Sequence, residues 1–233
     1  MIVSASQPYF SPYPGFFAKA ALSDTMVLLD SVQFPQQTTW MTRNRFKSKQ
    51  GMLWMTIPVW RKGLGFQKIR DVRIARERSW ARKHLASLKT SYARAPYLEE
   101  HLGFLERLFT SQDEYLLDFN LAIIRYLLDV LRFPVRVVLL SELGVAAREP
   151  ALTVEICRKL KAGIFLAQRP ARKYLDEDAL RRHGAELRTF LPHPPVYPQL
   201  HGSFLANLSA FDLLFSCGPR SAEIIRKSAV HDR

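Results

Sequence analysis

The chain has 233 residues, 48% of them hydrophobic, and carries 34 Lys and Arg against 21 Asp and Glu, a net charge of +13. That much apolar content can bury one substantial core without staples, and Cys157 and Cys217, far apart and outside any CxxC or His cluster, suggest neither a disulfide framework nor a metal site. The charge points to an anionic partner, yet no zinc finger, RNP signature, GxxG or helix-turn-helix pattern accompanies it, and a generally basic proteome gives the same excess; nucleic acid is not expected.

In chain order, Met1 to Ala5 reads as a strand, Gly15 to Ser23 as a helix and Met26 to Asp30 as a second buried strand, the opening of an α/β unit. Between the first strand and the helix lies Gln7-Pro8-Tyr9-Phe10-Ser11-Pro12-Tyr13-Pro14-Gly15, where prolines and rings stand in place of a phosphate loop's glycines. Ligands of open α/β sheets sit at the carboxyl ends of strands, so this loop and Asp30 are candidate pocket walls; a surface turn with rings in the core is the plainer alternative.

Ser31 to Lys49 reads as irregular, and Met52 to Val59 and Ile69 to Ile74 as strands. Trp80, His84, Leu88 and Tyr92 recur at four-residue steps along a helix ending before Pro96, and a second helix spans Tyr97 to Phe109. On a long helix from Glu114 to Arg132, Asp118, Arg125, Asp129 and Arg132 form a polar stripe, whereas Asn120 sits about 200° from Asp118 and points into the apolar face. Its amide needs partners, backbone or ligand.

Pro134 to Leu140 reads as a third strand, Thr153 to Lys161 as a helix, Gly163 to Leu166 as a strand and Leu175 to His183 as a helix. This alternation implies a mostly parallel sheet with flanking helices and a helical insertion over about residues 78–132, in one domain covering 1–233. The tail from Phe190 to Leu205 reads as loop; Ser209 to Phe215 and Pro219 to Lys227 read as short helices, the first with Ser209 and Asp212 in capping-box spacing. With no leader-like amino terminus and no run of spanning length, a soluble cytoplasmic protein is expected.

Signatures of hydrolases, kinases and dehydrogenases are missing: the chain has no GxGxxG, GxxxxGK[ST], HExxH or GxSxG. What remains are polar residues after strands: Gln7, Asp30, Gln33, Arg43, Asn44, His193, His201 and Asn207. Asp30 or His193 could take a proton, the alternatives being an Asp30–Arg43 tether and a surface histidine. Cys217 reads as a small buried thiol rather than a nucleophile. Trp40 to Lys47 interleaves cations with aromatics and suits phosphate or carboxylate capture, or simply a basic surface.

At these residues the chain resembles the WbqC-like protein family. The family's opening QPYFxPYxGYF and LDDVQ stretches stand here as Gln7 to Phe17 and Asp24 to Gln33, its W-x-x-RN as Trp40-Met41-Thr42-Arg43-Asn44, its W-x-x-KH and Y-x-x-APY as Trp80 to His84 and Tyr92 to Tyr97, and its NLSxxDLLFxxGP as Asn207 to Pro219. The resemblance implies a link, through gene context, to bacterial O-antigen, other polysaccharide or secondary-metabolite pathways, with attachment of an acyl or aminoacyl group to an amine. The expectation is thus a cofactor-free, metal-independent transferase acting on an amine acceptor and a thioester-like donor, or one held on an acidic carrier protein. Asp30 and His193 would be catalytic; Gln7, Tyr9, Gln33, Trp40, Arg43, Asn44, Asn120, Arg169, Arg172 and Asn207 would bind substrate. An ATP-dependent adenylating ligase and a non-catalytic basic binding module are the alternatives. Two departures stand out: Ser6 where the family often has His or Met, and Gln168-Arg169-Pro170-Ala171-Arg172 where it commonly has an SGxxG-type loop, replacing close backbone approach by possible side-chain anion binding.

Overall fold

The computed structural model describes residues 1–76 and 79–231. The alternating sequence builds a six-stranded sheet in the order β5-β2-β1-β6-β7-β8, from β1 (Ile2–Ser6), β2 (Thr25–Leu28), β5 (Arg136–Leu139), β6 (Ile164–Gln168), β7 (Glu186–Pro192) and β8 (Ala229–His231). All neighbours are parallel except β7 and β8. A separate antiparallel hairpin, β3 (Arg43–Ser48) and β4 (Gly51–Thr56), pairs Arg45 with Trp54 and Asn44 with Met55.

Alternation along the strands splits the core. Val3, Val27, Phe165 and Ala167 face α5 (Ala151–Leu160) and α6 (Glu177–Arg182), whereas Met26, Leu28 and Leu166 face α1 (Pro14–Ala21), α7 (Ala210–Cys217), α8 (Ser221–Lys227) and a helical insertion. That insertion is α2 (Trp80–Ser91), α3 (Glu99–Thr110) and α4 (Leu116–Val130), lying between β4 and β5; its expected start at residue 78 falls outside the described residues. The fold is α/β, as the alternation of elements implies. Pro14 occupies the first turn of α1, where its missing N–H costs nothing. On α4, Asp118, Arg125 and Asp129 are exposed, as is Arg132 just beyond its end, and Asn120 is fully buried, as the helical phase requires. No helix among the described residues is long and apolar enough to cross a membrane.

Four segments differ from the sequence reading. Residues 43–48 are a strand rather than irregular: Asn44 and Phe46 are buried while Arg43 and Arg45 lie on the other face, an alternation disguised by its cations. Ile69 to Ile74 is a single 3-10 turn at Ile69–Asp71 with isolated bridges at Arg73 and Ile74, because the buried Ile69 and Val72 are three residues apart and demand a turn rather than a pleat. β7 takes up residues 186–192, whose exposed Glu186 and Arg188 hide the strand signal, and it extends past Phe190 into the expected loop. Finally, Ser209 caps α7 through the Phe211 N–H, but Asp212 turns inward instead of closing a capping box.

Candidate functional site

The chain order makes β1 the point where the sheet changes direction. The β1-α1-β2 unit and β5 extend it one way, and β6 and β7 extend it the other, so the loops leaving β1 and β6 diverge. A cleft of about 320 Å³ lies at this end. Its walls come from the β1–α1 loop (Tyr9, Tyr13), from β3 and the turn before it (Trp40, Asn44, Arg45), from the ends of β6 and β7 (Gln168, Pro192) and from Asn207. This is where an open α/β sheet places a ligand.

The proline-rich loop is a wall held by asparagines. Asn44 Nδ2 donates to the carbonyls of Phe10 (3.0 Å) and Ser11 (2.7 Å), and Asn120 Nδ2 donates to those of Pro8 (2.8 Å) and Met41 (2.9 Å). Asn120 Oδ1 is buried without a partner among the described residues. The Phe10 N–H donates to the Trp40 carbonyl (2.9 Å), the Ser11 and Ser209 hydroxyls share a bond (2.7 Å), and the Ala210 N–H reaches the Pro12 carbonyl (2.8 Å). Segments around residues 10, 44 and 209 thus converge on one wall. Gly15 is required by close approach: a Cβ there would stand 2.4 Å from Tyr13 Cε2 and 3.0 Å from Pro192 Cβ, both on cleft residues.

Inside the cleft, Gln168 Nε2 donates to the Tyr13 hydroxyl (2.8 Å). Burial pushes the Tyr9 and Tyr13 phenols above their ordinary value; the nearby Tyr13 adds to the rise at Tyr9, and the Gln168 bond partly offsets it at Tyr13. Both phenols therefore act as hydrogen-bond donors at neutral pH, not as bases. Arg45 gives one N–H to the Asn207 carbonyl (2.8 Å), and Asn207 takes the left-handed conformation (φ 55°) that asparagine tolerates. Rings, amides and a single guanidinium suit a ligand with a planar or sugar face and an anionic or polar edge.

Of the residues proposed from sequence, Tyr9, Trp40, Asn44 and Asn207 line this cleft, joined by Gln168 of the altered loop. Gln7 is half-buried beside it, its carbonyl accepting the Tyr9 N–H (2.9 Å). Asp30 sits elsewhere, at the β2–β5 end, fully engaged: its carboxylate accepts the Ser141 N–H (2.9 Å) and hydroxyl (2.5 Å). Arg43 stacks on Trp54 and lines a separate depression whose described lining residues include neither Asp30 nor Gln7. Gln33 is exposed and bridges Lys68 through backbone. Asn120 clasps backbone away from the cleft lining. Arg169 and Arg172 are exposed on a 3-10 turn, Arg172 pairing with Glu177 (2.9 Å). His193 is exposed one residue beyond Pro192, its N–H on the Ser228 carbonyl (3.1 Å), and His201 bonds the Ser91 carbonyl (2.7 Å). Both cysteines are buried, with burial pushing the Cys157 thiol up to about 12 and that of Cys217 up as well.

Tyr13 lies in the loop, and Arg45 in the cation–aromatic stretch, that the sequence marks out, without either being proposed as a site residue on its own; Pro192 was not singled out. Also missed is a buried knot: Asp212 accepts the hydroxyls of Tyr92 (2.6 Å) and Tyr197 (2.7 Å), and Tyr92 in turn accepts the Lys47 N–H (2.8 Å). Burial pushes the Asp212 carboxyl up, while both tyrosine bonds pull it back down. Lys47 Nζ donates to Gln199 Oε1 (3.0 Å) and the Ser203 carbonyl (2.7 Å), so the knot ties the late loop under the hairpin.

The WbqC-like protein family matches residues 7–224 of this chain, a span that holds every segment forming the cleft. The uncharacterized protein Rv1507c of Mycobacterium tuberculosis is 26% identical over 226 residues, covering 96% of this chain and 97% of that protein. No solved structure matches the chain. The chain belongs to the WbqC-like protein family.

Proposed function

We propose that this member of the WbqC-like family forms an amide in the cleft between β1, β6 and β7, moving an acyl or aminoacyl group from a thioester-like donor to an amine. The observation that carries the reading is the convergence of three family segments, at Tyr9, Asn44 and Asn207, on one concave site at the sheet's change of direction. Tyr9, Tyr13 and Gln168 offer donors to a carbonyl oxygen that gains charge as the amine attacks, Trp40 offers a face for a sugar ring, and Arg45 offers a cation for an acidic group. The amine nitrogen bonds the carbonyl carbon as the carbon–sulfur bond breaks. The proton the amine loses passes to His193, one residue past the cleft wall at Pro192, and from there to the departing thiolate. Asp30, buried with one hydrogen bond from Ser141 on each oxygen, has no part in this scheme.

Purified protein incubated with amino-sugar nucleotides and acyl or aminoacyl thioesters is expected to yield an amide by mass spectrometry without ATP. No amide product across such a panel overturns the reading. A second reading has its own observation: among the described residues lining the cleft none is Asp, Glu, His or Cys, which suits a site that binds without catalysis. It predicts that His193→Ala leaves function intact, where the transferase predicts a fall in turnover of about 10²-fold or more.

A further inference from the structure

The outer face of the β3–β4 hairpin carries cations and rings in alternation. The Arg43 guanidinium lies 3.5 Å from the Trp54 ring centroid, Trp54 stacks on Trp40 at 5.9 Å and 27°, and the Arg45 guanidinium lies 5.5 Å from the Trp40 ring. Strand register lays this down: Arg45 pairs across the hairpin with Trp54, and Arg43 is two residues earlier on the same face. Trp40 and Trp54 remain 44% and 41% exposed, large rings kept in water by a chain that buries most of its aromatics.

The ladder joins two hollows. Arg45 and Trp40 line the cleft, and Arg43 lines a shallower, wider depression of about 700 Å³ with Thr38, Thr42, Thr56 and Arg61. Among the described residues no salt bridge includes Arg43 or Arg45, and the Nε of each is buried without a partner. A guanidinium stacked on a ring is held flat, and apart from the one Arg45 N–H given to the Asn207 carbonyl these groups have no partner among the described residues, an arrangement that can grip phosphate oxygens in a fork. Arg43 and Arg45 leave the strand on one face about 7 Å apart, and each guanidinium meets one ring of the Trp54–Trp40 pair, so the two cations flank one continuous surface. Among the described residues, no acidic side chain lines either hollow to repel such a ligand.

We propose that the ladder and the Arg43 depression bind the phosphate or diphosphate portion of the substrate whose reacting end enters the cleft, so that the substrate class is a phosphate-bearing one. This rests on the cleft being the substrate site. A nucleoside diphosphate on the acceptor and a phosphopantetheine arm on the donor share this chemistry.

The test is a titration of the full chain with inorganic pyrophosphate, uridine diphosphate and 4′-phosphopantetheine, followed by tryptophan fluorescence and repeated with Arg43→Ala. Pyrophosphate is expected to give a saturable change that weakens as salt rises and at least tenfold in the variant, with Arg43→Lys in between because it keeps the charge and loses the fork. Tighter binding of one of the two organic probes than of pyrophosphate supports the proposal and names the source of the phosphate. No saturable response to any probe, or equal affinity in parent and Arg43→Ala, overturns it and leaves the ladder a brace of the hairpin. Arg43→Gln, which retains a flat group over Trp54, takes the place of Arg43→Ala if circular dichroism shows that protein misfolded. Because no turnover is needed, phosphate binding without amide formation sinks the transfer reading alone, and amide formation from phosphate-free substrates without phosphate binding sinks this inference alone.

Discussion

The carboxyl ends of β2 and β5 and those of β1, β6 and β7 are the same kind of place, a row of parallel strand ends rich in polar residues, and they have opposite outcomes. At the first, Asp30 spends both oxygens on Ser141 and its carbonyl accepts the Arg70 N–H (2.8 Å), so loops from neighbouring strands close over one another. At the second the strands lead their loops apart, and the polar groups are left sparsely paired: Tyr13 with Gln168, Arg45 with a single carbonyl. The difference lies in topology before it lies in residue type. Polar side chains at a strand end become a site where the connections diverge, and a clasp where they do not.

The sharpest way to break this contrast is at Asp30. Replacing it by Ala leaves the Ser141 N–H and hydroxyl without their acceptor, and chemical denaturation should show a loss of about 3 kcal/mol, at roughly 1–3 kcal/mol per abandoned group. Ligand affinity of the cleft should stay unchanged; a tenfold fall in affinity with the fold intact would return Asp30 to the site.

The β1 end predicts the opposite sign. Lys19 is buried, gives one bond to the Ala5 carbonyl (2.6 Å), and burial pulls its pKa down to about 8. The unfolded chain, with lysine near its ordinary value of about 10.4, binds more protons than the folded one between those two values, so this group's contribution to stability rises with pH across that window. Below about pH 8 its penalty is fully present. Lys19→Met should therefore stabilise the fold by about 2 kcal/mol at pH 7, the lost hydrogen bond offsetting part of the gain, and the advantage over the parent should shrink by pH 10. Paired denaturation curves at the two pH values check both the sign and the slope.

The smallest effect belongs to the turn after β6. Arg172→Ala removes an exposed pair with Glu177, and stability should move by less than about 0.5 kcal/mol with cleft binding unchanged. A larger loss of affinity would extend the open end of the sheet beyond Gln168.

The legible parts of this molecule are those whose signal is local. Buried strands and the phase of α4 follow from apolar spacing, which is why Asn120 could be placed inside from its angle to Asp118 alone. The opening loop, Trp40, Asn44 and Asn207 stood out by residue type. What stayed hidden depends on partners far along the chain: Ser141 claims Asp30 from 111 residues away, and Tyr92 claims Asp212 from 120. β3 and β7 were obscured for a different reason, since their solvent faces carry arginines and glutamate where a strand signal expects alternation with neutral polar residues.

The cleft draws its walls from Tyr9, Arg45, Gln168, Pro192 and Asn207, positions spread over most of the chain. During synthesis it is therefore among the last things to exist. A growing chain can pair β1 with β2 early, but the hollow has no far side until β7 is laid down and no floor beside Arg45 until residue 207 has emerged, so its ligand can recognise only the completed fold. Occupancy of this cleft would then be felt by the whole protein at once, as resistance to unfolding and to proteases, rather than as the stiffening of one segment.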